Sequence, residues 1–207
     1  MRANRFHCAD RDNIVLRGVL FAASAWCCES SKFRLLVRTF RGSIAMNALT
    51  IRDAVPEDAD LILAYVRELA EFERLSQECV ATAEDFRRVL FVDRRAGAVM
   101  AEWEGAPAGF ALYFYNFSTF LGRPGLYLED LFVRPAFRRK GVARGLFRAL
   151  ARKAVAEDCG RFEWSVLDWN ENAIRFYREL GAAPMDEWTV QRLDGEALHR
   201  LAGEIQP

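Results

Sequence analysis

The chain has 207 residues, about the length of one domain, and 52% of them are hydrophobic, which is enough to fill one globular core. Its formal net charge is zero, and no apolar run is long enough to cross a bilayer, so we expect neither a nucleic acid nor a membrane as partner. Its five cysteines and two histidines lack zinc-site spacing, so we expect no metal, and the odd cysteine number predicts a reducing, cytoplasmic setting.

The first 45 residues differ from the rest in charge. Residues 1–45 carry a net charge of +5, whereas the other 162 residues carry −5. Residues 18–28 are mostly apolar and precede an arginine-rich stretch, so a targeting segment or a membrane anchor from residues 14–28 stays open. Met46 opens a regular domain sequence. We expect residues 1–45 to be an extension that is disordered or an artefact of start assignment, and the domain to span 46–207.

The first half of the domain predicts a strand, two helices and a hairpin. Residues 49–52 form a short strand, and apolar residues at helical spacing predict an amphipathic helix over 56–75. A capping box opens a second helix at 82–90. Residues 98–103 and 108–115 are predicted strands joined by a glycine- and proline-containing turn.

The second half of the domain adds the most apolar strand, over 126–133, which should be central in the sheet. The further predicted elements are a helix over 141–157, a strand over 161–167, a helix over 170–180 with Asn170 as its cap and Gly181 as its stop, a strand over 188–193 and a helix over 195–203. The order β-α-α-β-β-β-α-β-α-β predicts an α/β domain with a mixed sheet.

The stretch most suggestive of chemistry is 126–146, where a strand leads into a basic, glycine-containing loop that opens a helix. The unpaired N–H groups at a helix start, together with the helix dipole, favour an anion. Gly141 would let a phosphate approach the backbone, and four cations surround it: Arg138, Arg139, Lys140 and Arg144. A solvated surface loop explains the same residues. The spacing is neither the dinucleotide fingerprint nor a Walker loop.

Residues 138–143 (RRKGVA) match the R/Q-x-x-G-x-G/A signature, and the chain resembles the GNAT acetyltransferases. It is most similar to the spermidine/spermine (diamine) N-acetyltransferase branch, through RELAEFE at 67–73, GFALYF at 109–114, LYLEDLFV at 126–133 and WNENAIRFYRELGA at 169–182. The resemblance implies a mixed, twisted sheet of six to seven strands with about four helices. A V-shaped cleft in that sheet holds acetyl-CoA. Residues 1–45 have no counterpart.

The resemblance also implies the cofactor contacts. Three strand residues would pair with the pantetheine arm, the basic turn would bind the pyrophosphate, and the remaining contacts lie at the following helix. The implied cofactor residues are Leu131, Phe132, Val133, Arg138, Arg139, Lys140, Gly141, Val142, Ala143, Arg144, Asn170, Ala173 and Tyr177. Ala173 stands where the polyamine enzymes often carry a serine, so one side-chain hydrogen bond is absent here.

Tyr177 matches the family's general acid, which protonates the thiolate of coenzyme A as it leaves. From the residue alone, a tyrosine packing on the core is the favoured interpretation. Glu129, mid-strand among apolar neighbours, matches a residue that helps to deprotonate the amine and to bind it. Strict alternation along the strand turns Asp130 to the other face, so we expect it to be structural.

The substrate residues implied by the resemblance are Phe72, Glu73, Phe120 and Glu129. Ser118 replaces an aspartate of the polyamine enzymes, and the loss of that charge argues for a shorter amine, such as a diamine or a lysine analogue. We therefore predict acetyl-CoA-dependent acetylation of a primary amine on a small molecule. Acetylation of protein lysines or N-termini, and acetyl-CoA binding without catalysis, stay as alternatives. Family members usually dimerise, so a homodimer is expected.

Overall fold

The structure, a computed structural model, describes residues 48–204. The predicted extension over residues 1–45 lies outside the described residues. In chain order the elements are β1 (Leu49–Asp53), α1 (Ala59–Glu73), α2 (Ala83–Arg87), β2 (Gly97–Trp103), β3 (Ala106–Ser118), β4 (Arg123–Val133), α3 (Val142–Ala156), β5 (Arg161–Trp164), α4 (Glu171–Glu179) and α5 (Gly195–Leu201). A single 3₁₀ turn, Pro56–Asp58, leads into α1, and a π-helical turn, Arg88–Val92, continues α2.

The strands form one mixed sheet in the order β1-β2-β3-β4-β5. The first four strands are antiparallel neighbours, and β4 pairs with β5 in parallel. The predicted α/β fold with a mixed sheet is therefore confirmed. β4, which was expected to be central, is an interior strand next to the edge strand β5, and β3 is the middle strand.

The predicted number of strands is wrong for the described part of the chain, which contains five strands rather than six or seven. Its five α-helices agree with the helices that the sequence predicted. Residues 188–193 were predicted to form a strand, but the structure shows no regular secondary structure there. A strand requires hydrogen bonds from a neighbouring strand, and a favourable local pattern of side chains does not supply that neighbour.

Two apolar cores hold the helices on the two faces of the sheet. On one face, α3 packs its fully buried Leu146 and Leu150 against the strands. On the other face, α1 buries Ile62 and Tyr65, and the Tyr65 ring stacks on Phe110 of β3 at 5.3 Å between centroids. We call these the α3 face and the α1 face.

The ends of α4 follow the capping rules that its sequence predicted. The Asn170 side chain accepts a hydrogen bond from the Ala173 N–H at 3.3 Å, which satisfies a free donor in the first turn. At the other end Gly181 has a φ of 88°, and the Ala182 N–H donates to the Tyr177 carbonyl at 3.1 Å. This left-handed closure suits glycine because it carries no Cβ. These two caps set the length and position of the helix that carries Tyr177.

A β-bulge interrupts β4 at its midpoint. Leu112 of β3 lies opposite Asp130, whereas the next residue, Tyr113, lies opposite Leu128, so Glu129 has no partner on β3. An extra residue of this kind breaks the alternation of side chains between the two faces. The face of each residue after the bulge must therefore be taken from the structure and not from the sequence.

Candidate active site

A cleft opens between β4 and β5. The two strands pair only along Gly125–Leu128 and Arg161–Trp164, but β4 continues to Val133. The Arg134 N–H points toward β3, where it donates to the Ala108 carbonyl at 3.0 Å. Because backbone groups alternate in direction along a strand, those of Leu131 and Val133 point away from β3 into the opening. This unpaired stretch of β4 can accept an extended ligand as if it were another strand.

The cleft leads to the start of α3. Gly141 at the N-cap has a φ of 83° and Arg139 has a φ of 62°, so the turn contains two left-handed residues. No side chain caps this helix start, and its free N–H groups face an open cavity of about 250 Å³ whose lining includes Val133 and Phe176. Unpaired donors at the positive end of a fifteen-residue helix favour a phosphate group.

Arg138, predicted as a cofactor residue, turns toward the sheet. Its Nε donates to the Val133 carbonyl at 3.0 Å, and its guanidinium lies 5.5 Å from the Phe72 ring centroid and 5.9 Å from that of Phe132. These contacts join the basic turn to β4 and to the end of α1. The observed position makes Arg138 a link between the turn and α1.

The other cations of the turn differ in the contacts that they make with the rest of the protein. The Lys140 ammonium lies 5.1 Å from the Trp103 ring centroid, and Arg144 lies 3.4 Å from the Glu179 carboxylate. Arg139 is exposed and forms no ion pair with any residue in 48–204. Arg139 is thus the cation of the turn with the fewest protein contacts.

Tyr177 lies on the α3 face of the cleft. Its ring packs 5.1 Å from that of Trp164 on β5 and 5.5 Å from that of Phe147 on α3. Burial raises the pKa of the Tyr177 hydroxyl, and the negative charge of Glu73 raises it further. The phenol therefore stays protonated at neutral pH, which is the form that a general acid needs.

Glu73 lies on the α1 face, at the last residue of α1. Burial raises the pKa of its carboxyl group. The free carbonyl groups at a helix C-terminus add partial negative charge, so this position favours a cation. Arg134 fixes α1 against β4 through a bidentate ion pair with Glu68, with contacts of 2.6 Å and 3.0 Å. This ion pair docks α1, whose last residue is Glu73, against the end of β4.

Asp130 is a site residue that alternation along the strand missed. Because of the bulge it shares a face with Phe132, which belongs to the α1-side core, and so the expectation that Asp130 faces away from the site is wrong. Burial raises its pKa to about 6, helped by the charges of Glu129 and Glu73. The sequence feature that could have indicated this role is the pair of adjacent acids at 129–130 in an otherwise apolar strand. Glu129 itself is exposed.

Phe72 and Trp169 connect the two sides of the cleft. Their ring centroids are 5.8 Å apart, which brings the end of α1 to the loop before α4. Phe120 does not lie with them. It is 96% exposed in the turn between β3 and β4, about 20 Å along the strand from Glu129. The structure therefore places Phe72 beside the cleft and Phe120 away from it.

A larger open groove, of about 410 Å³, lies between β1 and the second half of α3 and is lined by Asp53, Lys153 and Glu157 among others. It contains none of the predicted site residues. In the part of the chain that the structure describes, no three His, Cys, Asp or Glu residues are grouped to hold a metal ion. No helix in that same part is both long and apolar enough to cross a membrane.

Comparisons with known proteins agree with this geometry. The model of the acetyltransferase (GNAT) family matches residues 63–182. The chain is 36% identical over 162 residues to a thialysine N-epsilon-acetyltransferase of Caenorhabditis elegans, which covers 77% of this chain and 100% of that protein. It is 34% identical to the L-ornithine N5-acetyltransferase NATA1 of Arabidopsis thaliana, over 73% of this chain and 86% of that protein.

Among solved structures, an integron cassette protein from the mobile metagenome of V. cholerae superimposes with a TM-score of 0.63 at 25% identity. That match covers 75% of this chain and 98% of the other. The family model spans more than half of the chain, and it includes the turn before α3 and the tyrosine of α4. The chain therefore belongs to the GNAT family of acetyltransferases.

Proposed function

We propose that the chain transfers an acetyl group from acetyl-CoA to a primary amine of a small molecule, by direct attack in a ternary complex. The observation that carries the proposal is the arrangement around the cleft. Unpaired backbone of β4 leads to the open start of α3, Tyr177 lies on one face, and the carboxylates of Glu73 and Asp130 lie on the other.

The cleft would hold acetyl-CoA along its length. The free N–H groups of Val142, Ala143 and Arg144 would bind the pyrophosphate, and Arg139 would add its charge. The backbone of Leu131 and the N–H of Val133 would pair with the pantetheine arm. An N–H of β4 in this stretch would polarise the thioester carbonyl. Arg138 would support this surface from beneath through the Val133 carbonyl.

The acceptor would approach from the α1 face. An ammonium group is attracted by Glu73, Asp130 and the C-terminus of α1. It must lose a proton before its nitrogen can attack, because an alkyl ammonium has a pKa of about 10.4. Glu129 is exposed to water beside this position, so it would accept that proton through a water molecule.

Tyr177 would complete the reaction. When the tetrahedral adduct breaks its C–S bond, the electron pair moves to sulfur, and the phenol donates its proton to the thiolate. Tyr177 packs against the α3-side core, whereas Asp130 shares the α1 face with Phe132, so the phenol and the acid that attracts the amine lie on different sides of the cleft.

The two curated relatives support a short acceptor with a terminal amine. Their names state acetylation of thialysine at its epsilon nitrogen and of L-ornithine at N5. Both are amino acids whose side chain ends in a primary amine. Acetylation of a protein lysine or N-terminus, and acetyl-CoA binding without catalysis, are the competing functions.

The test is release of coenzyme A by the purified full chain. The panel contains diamines, polyamines, L-ornithine, L-lysine, thialysine and lysine-containing peptides. We expect turnover of small amines and little turnover of peptides. Tyr177→Phe should lower kcat at least tenfold and leave the KM for acetyl-CoA nearly unchanged, and Glu129→Gln should shift the pH–rate profile. Turnover of peptides alone, or acetyl-CoA binding without turnover of any amine, would contradict the proposal.

We also propose a homodimer that acts in the cytoplasm. Strand β5 is at the edge of the sheet, and the segment that follows α4 exposes apolar side chains, namely Met185, Trp188, Val190 and Leu193. Such a surface favours association with a second copy. Light scattering should give twice the chain mass, and Trp188→Ser should lower it. Cys79 and Cys159 form no disulfide with each other within residues 48–204, and a reducing compartment would keep them as thiols.

A further inference from the structure

The cleft between β4 and β5 has a closed end. Leu128 and Trp164 form the last pair of the parallel ladder, and beyond this pair the two strands are no longer joined. Leu128 is only 2% exposed, and both side chains belong to the α3-side core. A ligand that lies in the cleft like an extra strand must therefore stop at this pair.

Aromatic rings surround Trp164 on the α3 face. Its ring centroid lies 5.0 Å from that of Phe147 and 5.1 Å from that of Phe162. The Tyr177 centroid is also 5.1 Å away. Because closely packed aromatic side chains resist displacement, the indole has little freedom to move aside. The closed end of the cleft is thus a fixed wall beside the proposed general acid.

The open stretch of β4 matches the pantetheine arm in length. The cavity at the start of α3 reaches Val133, which is five residues from Leu128, or about 17 Å along the strand. About twelve bonds separate the phosphate oxygen of coenzyme A from its sulfur, and they span about 14 Å when extended. An arm that starts beside Val133 therefore brings the sulfur to the level of Glu129, next to the closed end.

The planar thioester directs its acyl chain at this wall. Its carbonyl carbon has three substituents in one plane, namely the oxygen, the sulfur and the acyl carbon. With the oxygen on a β4 N–H and the amine attacking from the α1 face, that plane lies along the sheet. The acyl carbon then points to the closed end. An acetyl methyl lies about 2–3 Å beyond the sulfur, and each further methylene adds about 1.2 Å.

We infer that Trp164 limits the acyl group that the chain accepts, so that chains longer than acetyl meet the indole and Leu128. This inference rests on the proposed function, and it makes Trp164 a specificity residue for the acyl donor. A methylene more or less in a fixed apolar pocket changes selectivity by about 10- to 200-fold. The wall is therefore sufficient to exclude a butyryl group.

The experiment compares acetyl-CoA, propionyl-CoA and butyryl-CoA with the full chain. Transfer to the most rapidly acetylated amine of the panel is followed by release of coenzyme A. Binding without an amine is followed by titration calorimetry. The native chain should prefer acetyl-CoA to butyryl-CoA at least about tenfold, both in kcat/KM and in Kd. Trp164→Leu removes the indole but keeps an apolar side chain, and it should reduce both ratios to about threefold or less.

Trp164→Phe is a graded second test if Trp164→Leu does not fold. It should accept propionyl-CoA but still discriminate against butyryl-CoA. The matched control is Phe162→Leu, on the same strand and in the same aromatic group. Phe162 lies opposite Leu126, two residues farther from the opening, so this variant should lose packing but keep the native ratios. Ratios between donors are compared because Trp164 also contacts Tyr177, and a lower kcat for every donor leaves them unchanged.

Equal binding and equal use of acetyl-CoA and butyryl-CoA by the native chain would overturn the inference. So would native ratios in Trp164→Leu, or ratios that change as much in Phe162→Leu as in Trp164→Leu. No transfer to any amine would refute the proposed function, whereas calorimetry would still show whether binding depends on acyl length. The two failures are therefore distinguishable.

Discussion

Replacing Asp130 with asparagine should make the free protein more stable and less active. Burial and two neighbouring carboxylates raise the Asp130 pKa from its ordinary 3.8 to about 6. A raised carboxyl pKa means that the folded state resists ionisation, so ionised Asp130 destabilises it by about 3 kcal/mol at neutral pH. Asp130→Asn removes the charge at similar volume, and so it should recover up to about 3 kcal/mol.

The sign of this effect sets its pH dependence. The destabilisation is complete above pH 6, where Asp130 is ionised in both states, and it disappears below pH 3.8, where Asp130 is protonated in both states. The stability difference between Asp130→Asn and the native chain should therefore decline from about 3 kcal/mol at pH 7.5 to about 1 kcal/mol at pH 4.5. Urea unfolding curves at the two pH values measure it.

The matched control is Asp186→Asn, at an exposed aspartate after α4, which should change stability by less than about 0.5 kcal/mol. Asp130→Asn should also raise the KM for the amine and leave the KM for acetyl-CoA nearly unchanged. If the variant is less stable than the native chain at pH 7.5, or if the difference in stability is the same at both pH values, then ionised Asp130 does not destabilise the folded state. If the KM for the amine is unchanged, Asp130 does not bind the acceptor.

Three further predictions concern the cofactor turn, the docking of α1 and the packing of α3. Gly141→Ala should lower the free energy of unfolding by about 1–2 kcal/mol, because the backbone φ of 83° disfavours a Cβ. It should also raise the KM for acetyl-CoA. An unaltered KM would mean that this turn does not bind the cofactor. Arg134→Met should raise the KM for the amine severalfold through loss of the Glu68 ion pair, and Glu68→Gln should match it; unequal effects would argue against their shared role in docking α1. Leu146→Ala should destabilise by about 2–5 kcal/mol, since Leu146 is fully buried against the sheet, and thermal unfolding measures this; a loss below about 1 kcal/mol would contradict the packing of α3.

Features that depend on a few neighbouring residues were predictable from the sequence. The capping box is one example: the Thr82 N–H donates to the Asp85 carboxylate at 3.0 Å, and the Asp85 N–H donates to Thr82 Oγ1 at 3.3 Å. The basic turn and Gly141 at the start of α3 are another. Helical periodicity likewise located α1 and α3. In each case the stabilising partner lies within one or two turns of the same element.

Features that depend on contacts between distant segments were not predictable. Residues 188–193 carry a strand-like pattern, but no described strand pairs with them. The inward position of Arg138 depends on Val133 and on the Phe72 ring, which is 66 residues earlier in the chain. The resemblance to the family signature assigned that side chain to the cofactor, and it could not show these contacts within the protein.

The sequence by itself indicated the type of chemistry through its resemblance to the GNAT acetyltransferases, because the matching segments, including the glycine-containing start of α3, are local stretches of chain that can be compared directly. The tertiary structure alone decided which acids share the site. The bulge at Glu129 is a one-residue shift in register between β3 and β4. It places Asp130 on the α1 face, where the charge of Glu73 helps to raise the Asp130 pKa. A difference in register between two strands is a property of the pair, so neither strand's own sequence contains it.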